Sequence, residues 1–238
     1  MKVDILAFGA HPDDIELGAG GTILSEVAAG KKVGIIDLTR GELGTRGTPE
    51  DRDKEAAHAA SILGVDFRLN MGFRDGFFRN DEEHQMALIP YIRYFKPEIV
   101  LCNAVADRHT DHGKAGDLVS VACFLSGLSR IVTQWENEIQ TAWRPKVIYR
   151  YIQDRYQEPD FVYNISGFFN QKMEAVLAFK TQFYNPDSSE PATPISSMEF
   201  LEFLKARAIS LGRPAGFTYA EGYNVERYTG VNSLFDLK

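Results

Sequence analysis

The spacing of apolar residues follows two patterns in turn along the first half of the chain. Four apolar runs have the length of buried strands, and they span residues 3–9, 32–39, 66–70 and 98–102. Stretches with apolar residues at helical spacing separate and follow them, at residues 12–27, 52–63, 82–95 and 115–125. Strands that alternate with helices are typical of a parallel sheet covered by helices on both faces. The pattern therefore predicts an α/β fold with a mostly parallel, Rossmann-like sheet.

The second half of the chain shows a looser pattern. Short strands are predicted at residues 146–150 and 161–163, a helix at 167–179, and a final helix at 198–211. A loop with three prolines is predicted at residues 184–197. A chain of 238 residues, 44% of them hydrophobic, can form one α/β domain with a well-buried core. We expect a single domain over residues 1–238, with a core sheet in residues 1–130 that residues 145–238 complete.

A polar cluster, Ala10-His11-Pro12-Asp13-Asp14, directly follows the first predicted strand. Proline is well tolerated at the first position of a helix, so Pro12 predicts that a helix begins there. His11 and Asp14 are three residues apart, a spacing that brings two side chains to the same side of a helix entrance. An imidazole nitrogen and a carboxylate oxygen in that arrangement can share one cation. Asp13 is expected to point away from the pair and to remain free.

A second polar cluster, residues 107–112, follows the fourth predicted strand and includes His109, Asp111 and His112. In a doubly wound sheet with strand order 3-2-1-4, the carboxyl ends of strands 1 and 4 are neighbours, and ligands bind there. The two clusters are therefore expected to meet. The alternative is that Asp111 only caps a helix, or that Asp13 and Asp14 are only acidic residues of a first helical turn, where negative charge is favoured. Two clusters on adjacent strand ends make that alternative the weaker one.

Together the two clusters offer a metal site. His11, Asp14 and His112 around a divalent ion, with open positions for water and substrate, have the composition of a hydrolytic zinc site. A zinc ion lowers the pKa of bound water to about 7 and polarises a carbonyl group. The same three side chains could instead hold Fe²⁺ or another divalent ion.

The remaining residues of the clusters suggest acid and base roles. Asp13 is left beside the water as a candidate general base. His109 can face the substrate, and Asp111 is expected to orient His109 and to keep it protonated. An imidazolium there would stabilise the developing oxyanion and protonate a leaving amine. These roles fit amide hydrolysis.

Composition and charge argue against several classes of partner. The chain has 26 Lys and Arg against 33 Asp and Glu, a net charge of −7, and no basic stripe, so nucleic acid is not an expected partner. No stretch approaches the roughly 18 apolar residues of a membrane helix, which predicts no membrane association and a cytoplasmic location. Cys102 and Cys123 are predicted to be buried and unpaired.

Two glycine-rich segments remain. Residues 40–49 form a predicted loop beside the end of strand 2, which could be a substrate lid or a plain flexible connection. Residues 18–21 fall inside the first predicted helix, and the preceding turn lacks the G-x-G-x-x-G pattern of dinucleotide-binding proteins. Nucleotide binding is therefore the weaker interpretation.

The motifs Ala10-His11-Pro12-Asp13-Asp14 and His109-x-Asp111-His112 resemble those of the PIG-L (LmbE-like) family of zinc-dependent N-acetylglucosaminyl deacetylases, over nearly the whole chain. Residues 8–14, 38–48 and 219–223 resemble the bacillithiol-pathway branch of that family. Enzymes of that branch remove acetate from N-acetylglucosaminyl-L-malate. The resemblance implies an LmbE-like fold, a homo-oligomer and a small-molecule substrate.

The resemblance also implies roles for individual residues. It implies His11, Asp14 and His112 as zinc ligands, Asp13 as the base, His109 supported by Asp111 as the acid or oxyanion stabiliser, and Arg52 at the sugar hydroxyls. The family commonly has proline where this chain has Thr110, so the loop before His112 is expected to be less rigid.

Arg108 and Arg46 are candidates for binding the malate carboxylates, because a guanidinium group matches a carboxylate bidentately. The alternative for each is a surface or loop-stabilising arginine. Three other functions stay open at this point. The chain could deacetylate an inositol or chitobiose conjugate, hydrolyse another bond such as a phosphate ester, or be a noncatalytic module that binds a nucleotide or sugar.

Overall fold

The computed structural model of the protein describes residues 1–236. Its strands are β1 (Ile5–Gly9), β2 (Val33–Thr39), β3 (Phe67–Phe73), β4 (Ile99–Cys102), β5 (Gln134–Trp135), β6 (Glu138–Ile139), β7 (Val147–Tyr151), β8 (Phe161–Asn164) and β9 (Ala220–Val225). Its α-helices are α1 (Asp14–Ala28), α2 (Pro49–Leu63), α3 (Glu82–Phe95), α4 (Thr110–Ser126), α5 (Phe169–Leu177) and α6 (Met198–Gly212). Short 3₁₀ turns cover Arg213–Ala215 and Leu234–Asp236.

The main sheet has seven strands in the order β3-β2-β1-β4-β7-β9-β8. The predicted order 3-2-1-4 is confirmed, and β3, β2, β1, β4 and β7 pair in parallel. Ile5 of β1 stands opposite Ile99 of β4, so these two strands end side by side. The carboxyl end of β1 therefore lies next to that of β4, as the strand order requires.

The antiparallel strand β9 was not predicted as a strand. It lies between β7 and β8 and pairs antiparallel with both. Its sequence, Ala-Glu-Gly-Tyr-Asn-Val, contains glutamate, glycine and asparagine, which are depleted in strands, so no strand pattern stands out. The short hairpin of β5 and β6 was missed as well, since each strand has only two residues.

Glu221 of β9 is buried and bonds to the middle of α1. Its carboxylate accepts hydrogen bonds from the amides of Gly21 and Thr22 at 2.9 and 2.8 Å. The carbonyl of Leu17 accepts a bond from Lys172 of α5 at 3.0 Å, and Lys172 also pairs with Glu221. Side chains from later elements thus bond to backbone groups inside α1.

Four helices begin at residues other than those predicted, and one of them, α5, begins at Phe169 rather than at residue 167. The helix α1 begins at Asp14 rather than Pro12, because Asp13 has a φ of +120° and is not helical. The helix α2 begins at Pro49, ahead of the predicted Arg52, because Thr48 and Asp51 form a capping box. The helix α4 begins at Thr110, before its first apolar residue.

Both faces of the sheet are buried, and β1 shows this directly. Leu6 and Phe8 pack with α3 and α4 on one face, whereas Ile5 and Ala7 pack with α1 on the other. Successive side chains of a strand point to opposite faces, which explains why β1 has an uninterrupted apolar sequence. The predicted α/β class with helices on both faces is confirmed. No helix in the described part, residues 1–236, has the length and apolar content needed to cross a membrane.

The glycines of α1 allow the helix to approach the sheet closely. A methyl group on Gly18 would lie 2.2 Å from the ring of Tyr151, and one on Gly21 would lie 2.7 Å from Ile165. Tyr151 is fully buried, and its hydroxyl donates to the carbonyl of Phe8 at 2.9 Å. Residues 18–21 are therefore packing positions inside a helix.

Replacing Gly18 with alanine should destabilise the fold by about 1–3 kcal/mol, because the added methyl group overpacks a buried site. Chemical denaturation of the Gly18→Ala protein measures the change. Gly167→Ala is the matched control, since an added methyl group there meets nothing within 4 Å. An unchanged free energy of unfolding for Gly18→Ala would show that Tyr151 can move aside freely.

Candidate active site

The ends of β1 and β4 bring the two polar clusters together. The ring of His11 lies 4.7 Å from that of His109 and 5.6 Å from that of His112, measured between centroids. These three histidines can each place a ring nitrogen within 4.8 Å of the others, and His11, Asp75 and Asp111 form a second group of that kind. His11 and His112 are buried, whereas His109 is half-buried. The predicted meeting of the clusters is confirmed.

Asp14 links the predicted metal ligands. One of its carboxylate oxygens lies 3.1 Å from Nε2 of His112, and the other lies 3.6 Å from Nδ1 of His11. The second oxygen also accepts a hydrogen bond from the backbone amide of His11 at 2.9 Å. Burial alone would raise the pKa of Asp14, but His112 and His11 lower it well below its usual range. The structure thus brings the three predicted ligands together.

Two amide side chains that the sequence analysis missed hold Asp14 in place. Asn103 donates from Nδ2 to Asp14 at 2.9 Å, and Gln153 donates from Nε2 at 2.6 Å. Asn103 also accepts from the amide of Ala10 at 2.9 Å. The signal for both is a polar residue just after an apolar strand, at the ends of β4 and β7.

His112 is oriented by Asp107, the first residue of the second polar cluster, to which the sequence analysis gave no role. Oδ2 of Asp107 lies 2.7 Å from Nδ1 of His112, which leaves Nε2 directed at Asp14. A carboxylate that holds the outer nitrogen of a histidine is a recurrent feature of metal sites. Burial would lower the pKa of His112, but Asp14 and Asp107 raise it to about 9.

Asp75, which lies just after the end of β3, connects His11 to the glycine-rich loop of residues 40–49. Its Oδ1 lies 3.0 Å from Nε2 of His11, and its Oδ2 accepts from the amide of Leu43 at 3.0 Å. Its own amide donates to Glu42 at 2.7 Å. No strand or helix pattern marks this position, so the sequence offered no signal for it.

The donor set fits a divalent cation. Asp13, Asp14, Asp75 and Asp111 are all buried around the histidines, and side-chain cations neutralise only part of their charge. Burial would lower the pKa of His11, but the surrounding carboxylates, Asp111 foremost, raise it well above its usual range. Imidazole nitrogens and carboxylate oxygens suit Zn²⁺, Fe²⁺ and related ions, and the donor set alone does not select among them.

Asp13 is not free, contrary to the expectation from its position. It is buried, and its Oδ2 lies 3.1 Å from Nη2 of Arg52, which also donates to the carbonyl of Pro12. Its positive φ is uncommon for a residue with a side chain, and strain of this kind is concentrated at functional sites. Burial raises the pKa of Asp13 to about 7, although Arg52 opposes the shift.

The expected pairing of Asp111 with His109 is wrong. The Asp111 carboxylate accepts from the amide of Gly76 at 2.8 Å and pairs with Lys114 at 2.6 Å. Only its backbone amide reaches His109, donating to Nδ1 at 3.3 Å. A ring nitrogen that accepts a hydrogen bond carries no proton, and burial with the nearby His11 lowers the pKa of His109. Both observations favour a neutral imidazole for His109, with its proton on Nε2.

The three predicted substrate-binding arginines are placed differently. Arg52 lines the cleft above the histidines. Arg108 lines it too, half-exposed, and pairs with Asp154 at 2.6 Å. Arg46 does not line the cleft: it is buried and bonded to Ser188, with Glu190 at 3.5 Å, so it stabilises the loop instead.

The cleft has a volume of about 300 Å³ and two chemically distinct walls. One wall carries the histidines, the aspartates and Arg52, and the glycine-rich loop contributes Leu43, Gly44 and Thr45 beside it. The other wall is largely apolar and includes Ile195, Phe200 and Leu204. The loop is tied down by Asp75 and by a bond from the amide of Gly47 to Glu190 at 2.7 Å. A lid role for this loop stays a prediction.

Comparison with known proteins gives one matching family and two similar deacetylases. The family description GlcNAc-PI de-N-acetylase (PIG-L) matches residues 6–123. An uncharacterized deacetylase, YaiS, of Escherichia coli K12 is 35% identical over 125 residues, which cover 50% of this chain and 67% of that protein. Diacetylchitobiose deacetylase of Thermococcus kodakarensis is 28% identical over 229 residues, and the match covers 92% of this chain and 81% of that protein.

A solved structure extends the likeness over the full fold. The conserved protein TT1542 from Thermus thermophilus superposes with a TM-score of 0.84 at 37% identity, and the match covers 97% of this chain and 98% of that one. The matched family segment contains both polar clusters, from β1 through α4. The chain belongs to the PIG-L family of deacetylases.

Proposed function

We propose that the protein is a metal-dependent hydrolase that removes the acetyl group from an N-acetylglucosamine conjugate. The observation that carries this proposal is the placement of Asp13 in one cleft with His11, Asp14 and His112. A general base beside a cation-binding group is the arrangement that amide hydrolysis by activated water requires. The diacetylchitobiose deacetylase that is similar over most of the chain supports the same reaction class.

His11, Asp14 and His112 would hold the cation, which when bound lowers the pKa of water and polarises the amide carbonyl. Zn²⁺ is the ion we propose, with Fe²⁺ as the alternative. Asp13 accepts the proton of the attacking water as the new carbon–oxygen bond forms. A pKa of about 7 suits a base that works near neutral pH.

For His109 we propose the role of oxyanion stabiliser, one of the two roles that the family resemblance implies. As a neutral imidazole it donates a hydrogen bond from Nε2 to the developing oxyanion rather than acting as a charged acid. Asp13, protonated in the first step, then returns its proton to the nitrogen as the carbon–nitrogen bond breaks. The products are acetate and a free amine. Arg52 holds the Asp13 carboxylate in position and lies where it can contact the sugar.

The substrate that we propose is N-acetylglucosaminyl-L-malate. The segments that resemble the bacillithiol-pathway branch support it, as does Arg108 at the cleft, a donor for a carboxylate. Chitobiose and inositol conjugates are the alternatives within the same reaction class. The cytoplasmic location and the homo-oligomer stay predictions.

The decisive experiment incubates Zn²⁺-loaded protein with N-acetylglucosaminyl-L-malate, N,N′-diacetylchitobiose and methyl N-acetylglucosaminide, and detects the free amines by mass spectrometry. A chelator-treated sample is the control. Metal-dependent release of any of these amines supports the proposed reaction, and their relative rates identify the conjugate. Sugar binding that survives chelation with no amine released would instead favour a noncatalytic binding module.

Replacing Asp13 with asparagine should lower kcat by roughly 10²- to 10⁴-fold, because the general base is lost. Metal content, measured by inductively coupled plasma mass spectrometry, should be retained. Asp53→Asn on the exposed side of α2 is the matched control, since Asp53 pairs only with Arg40 there. Full activity in Asp13→Asn would remove Asp13 from the mechanism.

Replacing Asp107 with asparagine should weaken metal binding by about 10- to 100-fold, because the carboxylate no longer orients His112. Competition with a chromogenic chelator measures the dissociation constant for Zn²⁺. Asp117→Asn on the exposed side of α4 is the control. Equal affinities in the wild-type and Asp107→Asn proteins would contradict the role of Asp107 in orienting His112 for metal binding.

A further inference from the structure

Arg207 lines the cleft and lies on α6 together with Phe200 and Leu204, which also line it, and no sequence motif marked it. Its side chain is half-buried, and Nη2 donates to the carbonyl of Leu17 at 3.0 Å. Its guanidinium carbon lies 5.5 Å from the centre of the Phe203 ring. Among the side chains of residues 1–235, no carboxylate lies within 4.0 Å of the Arg207 guanidinium nitrogens.

The carboxylates nearest to Arg207 are already engaged by other cations. Three of them act on it from a distance and are paired elsewhere: Asp154 with Arg108 at 2.6 Å, Glu221 with Lys172 at 2.5 Å, and Asp107 with His112 at 2.7 Å. Burial lowers the pKa of Arg207 to about 10, so the guanidinium is still charged at neutral pH. A desolvated charge without a counterion is unfavourable unless a partner arrives.

The other arginines of the cleft do not share this property. Arg52 is paired with Asp13 at 3.1 Å, and Arg108 is paired with Asp154. Within the described part of the chain, Arg207 is therefore the arginine of the cleft that carries an uncompensated positive charge. The apolar side chains beside it, including Phe200 and Leu204, limit the access of water and strengthen any charge pairing there.

We infer that Arg207 binds an oxyanion, a carboxylate or a phosphate, on the part of the substrate beyond the acetylated sugar. Arg207 is then a specificity-determining residue, and the cleft takes an acidic conjugate in preference to a neutral one. A guanidinium can bind a carboxylate or phosphate through two parallel hydrogen bonds. The inference rests on the proposed function for the identity of the sugar, but not for the presence of the anion.

The hydrogen bond from Arg207 to the carbonyl of Leu17 does not explain why an arginine stands at this position. Lys172 already donates to the same carbonyl at 3.0 Å, so the backbone group keeps a partner without Arg207. Replacement of Arg207 is therefore expected to have little effect on folding. If the bond to Leu17 were its whole role, the replacement would leave the substrate preference unchanged as well. This difference makes substitution of Arg207 a direct test.

The test compares wild-type, Arg207→Met and Arg207→Lys proteins, with exposed Arg213→Met as the matched control. Isothermal titration measures the binding of three amines: glucosaminyl-L-malate, glucosamine 1-phosphate and methyl glucosaminide. We expect Arg207→Met to lower the preference for an anionic amine over the neutral one by about 10- to 100-fold, the range of a charge-assisted hydrogen bond. Arg207→Lys should retain part of the preference, and Arg213→Met all of it.

Glucosaminyl-L-malate carries carboxylates and glucosamine 1-phosphate carries a phosphate. The one that binds more tightly identifies which kind of anionic conjugate the cleft takes. Parallel measurement of kcat/KM on the acetylated forms separates the inference from the proposed function. Arg207-dependent preference without any deacetylation would overturn the proposed reaction and leave the anion site standing. No preference in the wild type, or an equal loss for charged and neutral amines in Arg207→Met, would overturn the anion site.

Discussion

The carboxylate of Asp14 is the constraint on which the arrangement of the site depends. A buried carboxylate is costly unless its oxygens are bonded, and here they contact groups from four parts of the chain. The amide of His11 follows β1, Asn103 follows β4, Gln153 follows β7, and His112 lies in α4. Each contact lies at a carboxyl end of the parallel sheet. Satisfying one charged group therefore sets the relative positions of three strand ends.

The same set of contacts explains which features the sequence could predict. The apolar runs of β1 and β4 carry the strand order and hence the meeting of the polar clusters, because a parallel strand buried on both faces has an unmistakable composition. The proposed ligand residues lie in the two polar clusters that follow those runs. Asn103 and Gln153 were missed because single amides at strand ends have no spacing pattern. Asp75 was missed because its role depends on a loop that lies near it only in the folded chain.

Where the sequence led to errors, the cause is a contact with a residue outside the two motifs. Adjacent positions suggested that Asp111 serves His109, but the carboxylate pairs with Lys114 and Gly76 and leaves its backbone amide for the histidine. Asp13 was expected to be free, yet Arg52 from α2 reaches it. Helix spacing indicates which side chains share a face, but it does not indicate which counter-charge another element supplies.

The bonds from the amides of Gly21 and Thr22 to Glu221 also affect the order in which parts of the fold can form during synthesis. The helix that starts with Asp14 has backbone groups whose partners lie about 200 residues later in the chain. The strand β9 that supplies them is internal to the sheet, since β8 pairs with it and not with β7. During synthesis, the first cluster leaves the ribosome long before β9 does. The amino-terminal half can therefore form strands and helices early, but the helix that carries the site acquires its bonds to Glu221 only after β9 has been made.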